Sequence, residues 1–129
     1  MLGLLAKAKG IGTAEWIEGY YVFQYGAHQI YLPNGTDDIG FDYYCIDLAT
    51  LCLYTGKTDI NNNKIFSKDI VFSEEFNSKG VVFYSNDDAA FCVKMESGSE
   101  YFLFYFETLK VVGNSVDNPE MMEEMKWKC

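Results

Sequence analysis

Hydrophobic and polar residues alternate with a period of two along much of this chain, in short runs separated by turn residues. Such alternation is typical of half-buried β-strands, especially where Tyr, Phe, Val and Ile fill the apolar positions. The pattern predicts strands at 15–25, 28–32, 42–47, 50–54, 69–73, 80–85, 90–95, 100–106 and 108–113. We therefore expect a mainly β fold, either a meander or a small antiparallel β-barrel that is partly open or closed.

A helical pattern follows the last predicted strand, in the sequence DNPEMMEEMKWKC. Asn118 suits the N-cap and Pro119 the first helical position, while glutamates come early and lysines late, as the helix dipole favours. The pattern predicts one short C-terminal α-helix over 119–127. Its apolar side consists of Met121, Met122 and Met125. That side is expected to pack on the protein's own sheet, or alternatively to dock a partner.

Length and charge limit the organisation and the partners of the chain. Its 129 residues are enough for one core, and no shift in composition marks a boundary, so 1–129 is predicted to be a single domain. The chain has ten Lys, no Arg and nineteen acidic residues, for a formal net charge of -9. Because Arg supplies bidentate contacts to phosphates and guanine, direct binding of nucleic acid is not expected. An acidic field favours basic protein partners instead. The alternative is that the charge serves only to keep a small domain soluble.

The segment YTGKTDINNNKIFSKDIVF, at 54–72, places Asp59, Asn61 and Asn63 at alternate positions, as in a calcium loop. Such a loop also needs Gly at its sixth position and a bidentate Glu at its twelfth. This chain has Lys64 and Ile70 there. We therefore expect a hairpin with no metal, in which Asn62 and Asn63 adopt the backbone conformations that Asn-Gly would give.

Other chemistry-bearing residues do not form a recognisable motif. The four cysteines lack zinc-like spacing, and Cys45, Cys52 and Cys92 lie in apolar runs, where a thiol behaves more often as a small core hydrophobe than as a nucleophile. A Cys–His pair with His28, the single histidine, is the alternative left open. No glycine-rich phosphate loop is present in the sequence. We expect no catalytic residues, no cofactor and no metal.

Aromatic residues are abundant and occur at both parities of the predicted strands, as in YFLFYF at 101–106. A strand with this pattern is either covered on both faces or presents an adhesive patch. Tyrosines are favoured anchors at interfaces, and carboxylates would complement a basic partner. The candidate contact residues are Tyr20, Tyr43, Tyr101, Tyr105, Asp37, Asp38, Asp87 and Asp88.

Three segments resemble a known family in sequence and in order. They are WIEGYYV at 16–22, LYTGKTDINNNKIFSKDIV at 53–71 and VVGNSVDNPEMM at 111–122. They resemble the patterns EWVEGYY, QYTGLKDKNGKKIFEGDIV and EVIGNIYDNPEL of the YopX-like proteins of phages and prophages. The chain departs from that pattern at Lys57, where the family has Leu, and at Ser67-Lys68, where it has Glu-Gly. The resemblance implies a small β-rich phage protein with no established enzymatic activity.

These observations favour a non-enzymatic interaction protein in the cytoplasm of a bacterial host, with reduced thiols and no membrane association. It would bind a host or phage protein, in one specific form a host defence complex with a basic nucleic-acid channel. Two alternatives are a small-ligand binder with an aromatic-lined cavity and a nucleic-acid-associated phage regulator. A homo-oligomer is also possible on the aromatic surface.

Overall fold

The fold was obtained as a computed structural model that describes residues 4–32 and 42–125. Within these ranges the chain is mainly β, and the strands form two antiparallel sheets. The strands are β1 Leu4–Lys9, β2 Trp16–Gln24, β3 Ala27–Leu32, β4 Asp42–Cys45, β5 Cys52–Thr58, β6 Lys64–Phe66, β7 Asp69–Ser73, β8 Ser78–Ser85, β9 Ala90–Met95, β10 Glu100–Phe102 and β11 Leu109–Asn114, followed by the helix α1 Pro119–Met125. The mainly β prediction is confirmed. As far as the described residues go, neither sheet closes into a barrel.

The chain divides into two compact units, 1–54 and 55–129. The six-stranded sheet has the order β4-β3-β2-β1-β5-β6, and the boundary falls within β5. The five-stranded sheet has the order β10-β9-β8-β7-β11 and lies in the second unit. Each unit has its own cluster of buried apolar side chains. The assignment of 1–129 to a single domain stays a prediction.

In the first unit, the core lies on one face of β1, β2 and β3, and it is built around small residues. Ala6 and Ala8 are fully buried, with Ile30 beside them. Gly19 pairs with Ala6, and a Cβ at Gly19 would clash with the carbonyl oxygen of Tyr31. The strands can therefore approach closely only because this position lacks a side chain. The hairpin β2–β3 turns at Tyr25 and Gly26, both with positive φ, as a two-residue type I′ turn requires.

In the second unit, alternate residues of the central strands point into the core. Val71, Val82 and Val93 come from β7, β8 and β9, and each is at most 1% exposed. Leu103 and Phe106 join them from beyond β10. The pairing of β11 with β7 shifts register between Val111 and Gly113. The core of this unit is thus made by a meander, β7 to β10, with β11 added at the other edge of the sheet.

The C-terminal helix forms where the sequence predicts it. It begins at Pro119, and Asn118 precedes it: the Asn118 carbonyl accepts a hydrogen bond from Met121 N at 3.0 Å. The side-chain oxygen of Asn118 accepts a hydrogen bond from Asn114 N at 3.1 Å. Met125 is buried, and a Cβ at Gly113 would meet the Met121 sulfur at 3.0 Å, so the methionine side packs on β11. The last predicted helical residues, 126–127, lie outside the described residues.

Some strand predictions match the observed strands, and others fail in two ways. The predicted strands 69–73 and 90–95 match β7 and β9. The structure adds β1 and β6, which the pattern did not predict. The predicted strand 100–106 is wrong beyond Phe102, because residues 103–105 form a 3-10 turn.

The segment 54–72 is a β-hairpin arrangement, as predicted. Asn62 has a φ of 64°, whereas Asn63 is not among the residues with positive φ, so only the first of the two asparagines has the predicted conformation. Asp59 is 6% exposed and directs both carboxylate oxygens to backbone amides. Its Oδ1 accepts from Asn61 N at 2.8 Å and Asn63 N at 2.9 Å, and its Oδ2 from Val111 N at 3.0 Å. The supposed calcium ligand is therefore the residue that holds the turn together.

Candidate functional site

The structure brings three of the predicted contact residues together at the edge strand β10. Asp88, Tyr101 and Tyr105 line one open pocket of about 310 Å³, together with Cys92, Glu100 and Phe102. We call this cavity the β10 pocket. Asp87 lies in the same turn as Asp88 but does not line the pocket, while Tyr20 and Tyr43 belong to the first unit. Asp37 and Asp38 lie outside the described residues.

Two tight turns position the carboxylates of the β10 pocket. In the turn between β8 and β9, the Ser85 hydroxyl lies 3.1 Å from Asp88 Oδ2 and accepts from Asp88 N at 3.2 Å. Ala89 then takes a positive φ of 52°, which returns the chain into β9. In the turn between β9 and β10, Gly98 has a φ of 93°, and Met95 N donates to Ser99 O at 2.8 Å. These turns set Glu100 at the start of β10.

The pairing of β9 with β10 supplies the pocket residues that the sequence pattern missed. Phe102 lies directly opposite Cys92, and Glu100 lies opposite Lys94. Residues opposite each other in adjacent strands point to the same face. Glu100, Phe102 and Cys92 are therefore on one face of the sheet, and finding them from the sequence would have required the register of this hairpin.

The aromatic side of the pocket is created by the 3-10 turn at 103–105. Leu103 and Phe106 are three residues apart and both are buried, as the three-residue repeat of this turn requires. The residues between them point outwards, so that Phe104 is 73% and Tyr105 65% exposed. Tyr105 stacks on Tyr101, with ring centroids 6.1 Å apart and planes 11° from parallel.

A second stacked pair, Phe102 and Phe104, lies beside the first, with centroids 5.3 Å apart. Phe76, from the turn between β7 and β8, stacks on Tyr101 at 5.0 Å. The exposed members Phe76, Phe102, Phe104 and Tyr105 form what we call the aromatic turn surface. Exposed aromatic side chains that are grouped in this way are typical of interaction sites.

Two charged side chains fasten the aromatic turn to the rest of the second unit. Lys57 Nζ donates to the carbonyl oxygens of Leu103, at 3.3 Å, and of Phe106. The carboxylate of Glu75 accepts from Glu107 N at 2.8 Å and from the Thr108 hydroxyl at 2.5 Å. Burial raises the pKa of Glu75, but these hydrogen bonds outweigh it, so the pKa lies below its usual value. The turn is thus held at both of its ends.

The charges around the β10 pocket affect the pKa of its thiol, Cys92. Burial raises the pKa of Cys92, and the nearby charges of Asp88 and Glu100 raise it further. A thiol in this setting is held in its protonated form, which is the opposite of a reactive nucleophile. Lys94 is the neighbouring cation, because it lies opposite Glu100 in the register.

A separate row of tyrosines crosses the first unit. Tyr20 pairs with Tyr31, which pairs with Tyr43, so the three share one face of β2, β3 and β4. Tyr31 and Tyr43 stack with centroids 5.4 Å apart, and Tyr43 is 54% exposed. Farther along the same face, the ammonium group of Lys7 lies 4.8 Å from the ring centre of Trp16. Two of the predicted contact residues, Tyr20 and Tyr43, are therefore joined through a tyrosine that the prediction omitted.

The first unit also has an open pocket of about 620 Å³. Its apolar lining includes Trp16, Ile17, Leu32 and Tyr44, and its polar lining includes Thr13. Pockets of this size and mixed lining are typical of small-molecule sites. This pocket is the structural feature that bears on the small-ligand alternative.

His28 and Cys45 do not lie together as a nucleophilic pair. Cys45 pairs with Gln29, so it lies on the opposite face from the adjacent His28. The ring of His28 contacts aromatic neighbours instead: its Nδ1 is 2.5 Å from the Tyr21 hydroxyl, and the Phe23 ring lies tilted against it with centroids 4.5 Å apart. Over residues 4–32 and 42–125, there is no group of three or more His, Cys, Asp and Glu side chains that could hold a metal ion.

The comparison with family models gives a match to YopX protein over residues 15–123. The chain belongs to the YopX family. The match includes all three segments on which the sequence resemblance rests, and it spans both compact units. YopX membership is consistent with a phage-type protein. A search of curated proteins finds no match.

The YopX match also covers every residue of the β10 pocket and of the aromatic turn surface. None of the helices in the described part of the chain is long and apolar enough to cross a membrane.

Proposed function

We propose that this YopX-family chain is a non-enzymatic interaction protein of phage origin, acting in the cytoplasm of the bacterial host. It binds a basic host or phage protein through the β10 pocket and the aromatic turn surface. The observation that carries this proposal is the convergence of Asp88, Glu100, Tyr101 and Tyr105 on one cavity, beside exposed Phe104. Aromatic anchors supply contact area, and carboxylates select a basic partner.

The rigidity of the surface supports the same proposal. Lys57 and Glu75 fix the aromatic turn by hydrogen bonds to its backbone and to the segment that follows it. A surface that is ordered before binding loses less conformational entropy on association. The net charge of -9 would speed the encounter with a positively charged partner. In its specific form, the proposal is that the partner is a host defence complex whose basic nucleic-acid channel becomes occupied.

The test is affinity capture from lysate of the infected host, with the tagged full-length chain as bait. We expect one stoichiometric partner that is lost when Phe104→Ala and Tyr105→Ala are combined. Both side chains are largely exposed, so their removal should leave the fold intact. The matched control is Tyr25→Asn, in the exposed β2–β3 turn, where Asn tolerates the positive φ. Recovery of no stoichiometric partner, or equal recovery with both variants, would argue against the proposal.

A second candidate function is small-ligand binding in the first unit, which the pocket of about 620 Å³ supports. A ligand that binds only the folded state raises the melting temperature according to its concentration and affinity. A thermal-shift screen of small aromatic and amphipathic compounds tests this function. Hits should be weakened by Tyr44→Ala in the pocket lining and unaffected by Tyr84→Ala outside it. A screen without concentration-dependent shifts would remove this candidate.

A further inference from the structure

The β10 pocket combines two kinds of wall that suit one kind of chemical group. Ring faces come from Tyr105, which is 65% exposed, and from Phe102, which is 40% exposed. Tyr101 also lines the pocket, but its ring already stacks with Phe76 and Tyr105. Carboxylates come from Asp88 and Glu100. Ring faces attract cations through their quadrupole, and carboxylates attract them through their charge.

A planar cation matches these walls better than a compact one. The guanidinium group of arginine stacks on aromatic faces, is weakly hydrated and can donate two parallel hydrogen bonds to a carboxylate. The ammonium group of lysine is strongly hydrated and has no flat face to stack. We propose that the β10 pocket binds an arginine side chain of the partner protein, an inference that rests on the proposed function because it uses the same site.

The charges around the pocket support this assignment. Asp88 and Glu100 both act on Cys92, whose raised pKa arises first from burial and then from these two carboxylates. Lys94 lies opposite Glu100 and offsets part of the negative charge from one side of β10. The field at the thiol remains negative, and the pocket of about 310 Å³ is large enough for a guanidinium group with its methylene stem.

The composition of the chain shows where such an arginine can come from. The chain contains ten lysines and no arginine, so a second copy of itself cannot supply the ligand. An arginine in this pocket must therefore come from another protein.

The experiment is a titration of the ¹⁵N-labelled full-length protein, followed by NMR, with N-acetyl-arginine amide. The citrulline compound, a neutral isostere, and the lysine compound are titrated in parallel. We expect saturable shifts at the amides of Asp88, Cys92, Glu100 and Phe102 for arginine. Citrulline should bind about ten-fold more weakly, since it lacks the charge-assisted hydrogen bonds. Lysine should fall between them.

Paired variants localise the effect. Asp88→Asn with Glu100→Gln should weaken arginine binding about ten-fold, because both changes remove charge and keep shape. The matched control is Asp87→Asn with Glu74→Gln, which removes the same charge from exposed positions that do not line the pocket. Replacement of Lys94 by Met should strengthen arginine binding.

Three results would overturn the inference. They are equal binding of arginine and citrulline, lysine binding as tightly as arginine, and arginine shifts that the pocket variants do not weaken relative to the control pair. Because the titration uses the purified protein, its outcome is independent of partner capture. Arginine binding without a captured partner would refute only the proposed function. A captured partner without arginine binding would refute only the assignment of the pocket to arginine.

Discussion

Asp59, the acidic residue among the three that a calcium-loop interpretation would assign to metal, should stabilise the second unit through its hydrogen bonds to backbone amides. In Asp59→Ala, the backbone amides of Asn61, Asn63 and Val111 all lose their acceptor. Hydrogen bonds to a charged acceptor contribute about 1.5–3 kcal/mol each, and an amide that water can reach recovers much of that loss. Asn61 and Asn63 are exposed, whereas Val111 is half-buried. We therefore expect a loss of about 3–4 kcal/mol in the free energy of unfolding.

Urea denaturation followed by circular dichroism measures this change, with unfolding slopes compared between variants. Asp59→Asn should cost less, about 2 kcal/mol, because the amide oxygen can still accept while its nitrogen opposes the Val111 amide. The control Asp87→Ala, in an exposed turn, should change the free energy of unfolding by less than about 0.5 kcal/mol. A loss below about 1 kcal/mol for Asp59→Ala would refute the reasoning.

The pH dependence of Asp59 gives an independent check. Burial raises its pKa, but the hydrogen bonds from Val111, Asn63 and Asn61 outweigh burial, so the pKa is lowered in the folded protein. A lowered pKa stabilises the fold above the unfolded value of 3.8, and this contribution disappears as the pH falls through the folded pKa. Asp59→Asn should therefore remove part of the acid sensitivity below about pH 4. A rise in the melting temperature on adding calcium would contradict the structural role.

Three further predictions concern other parts of the fold. Glu75→Ala should raise amide hydrogen exchange at Glu107 by about ten-fold, because the end of the aromatic turn loses its acceptor. Gly19→Ala should lower the free energy of unfolding by about 2 kcal/mol or more in denaturant titrations, because the methyl group meets the Tyr31 carbonyl. Neutralising the two pocket carboxylates should lower the pKa of Cys92 and speed its alkylation by iodoacetamide, as measured by mass spectrometry.

Each of these predictions has a matched control. Glu74→Ala, next to Glu75, should leave exchange at Glu107 unchanged. Gly26→Asn, at a positive φ that Asn tolerates, should change stability far less than Gly19→Ala. Exposed Cys45 should be alkylated at the same rate in the wild type and in the pocket variant. The same exchange rate in Glu75→Ala, native stability in Gly19→Ala, or an unchanged rate at Cys92 would each count against the corresponding contact.

The sequence predicts strands that are rich in residues of high β-propensity and misses β1, which is poor in them although its burial alternates. β7 and β9 were predicted with their observed bounds. β1 has the sequence LLAKAK, and Ala and Lys have low β-propensity, so it was not recognised. Its alanines are buried because β1 lies between β2 and β5, which is a property of the sheet and not of the segment.

The site was predictable by residue type but not by arrangement. Tyr101, Tyr105 and Asp88 were identified as exposed-parity aromatics and turn carboxylates, and they line one pocket. Glu100 and Cys92 were not identified, because their proximity depends on the β9–β10 register. The run YFLFYF is apolar throughout, so its hydrophobic and polar residues do not repeat with the period of either a strand or a helix. It therefore could not reveal the change from β-strand to 3-10 turn after Phe102.

Lys57 is the residue that binds the carbonyls of the aromatic turn, and it is also where this chain departs from the leucine of the family pattern. A leucine has no donor and could not make those hydrogen bonds. The anchoring of the turn therefore depends on a residue at which this chain departs from the pattern that it resembles. A single side chain on β5 thus holds the exposed aromatic turn in place, so a change at position 57 would alter the order of that turn and leave the β-strands that carry it as they are.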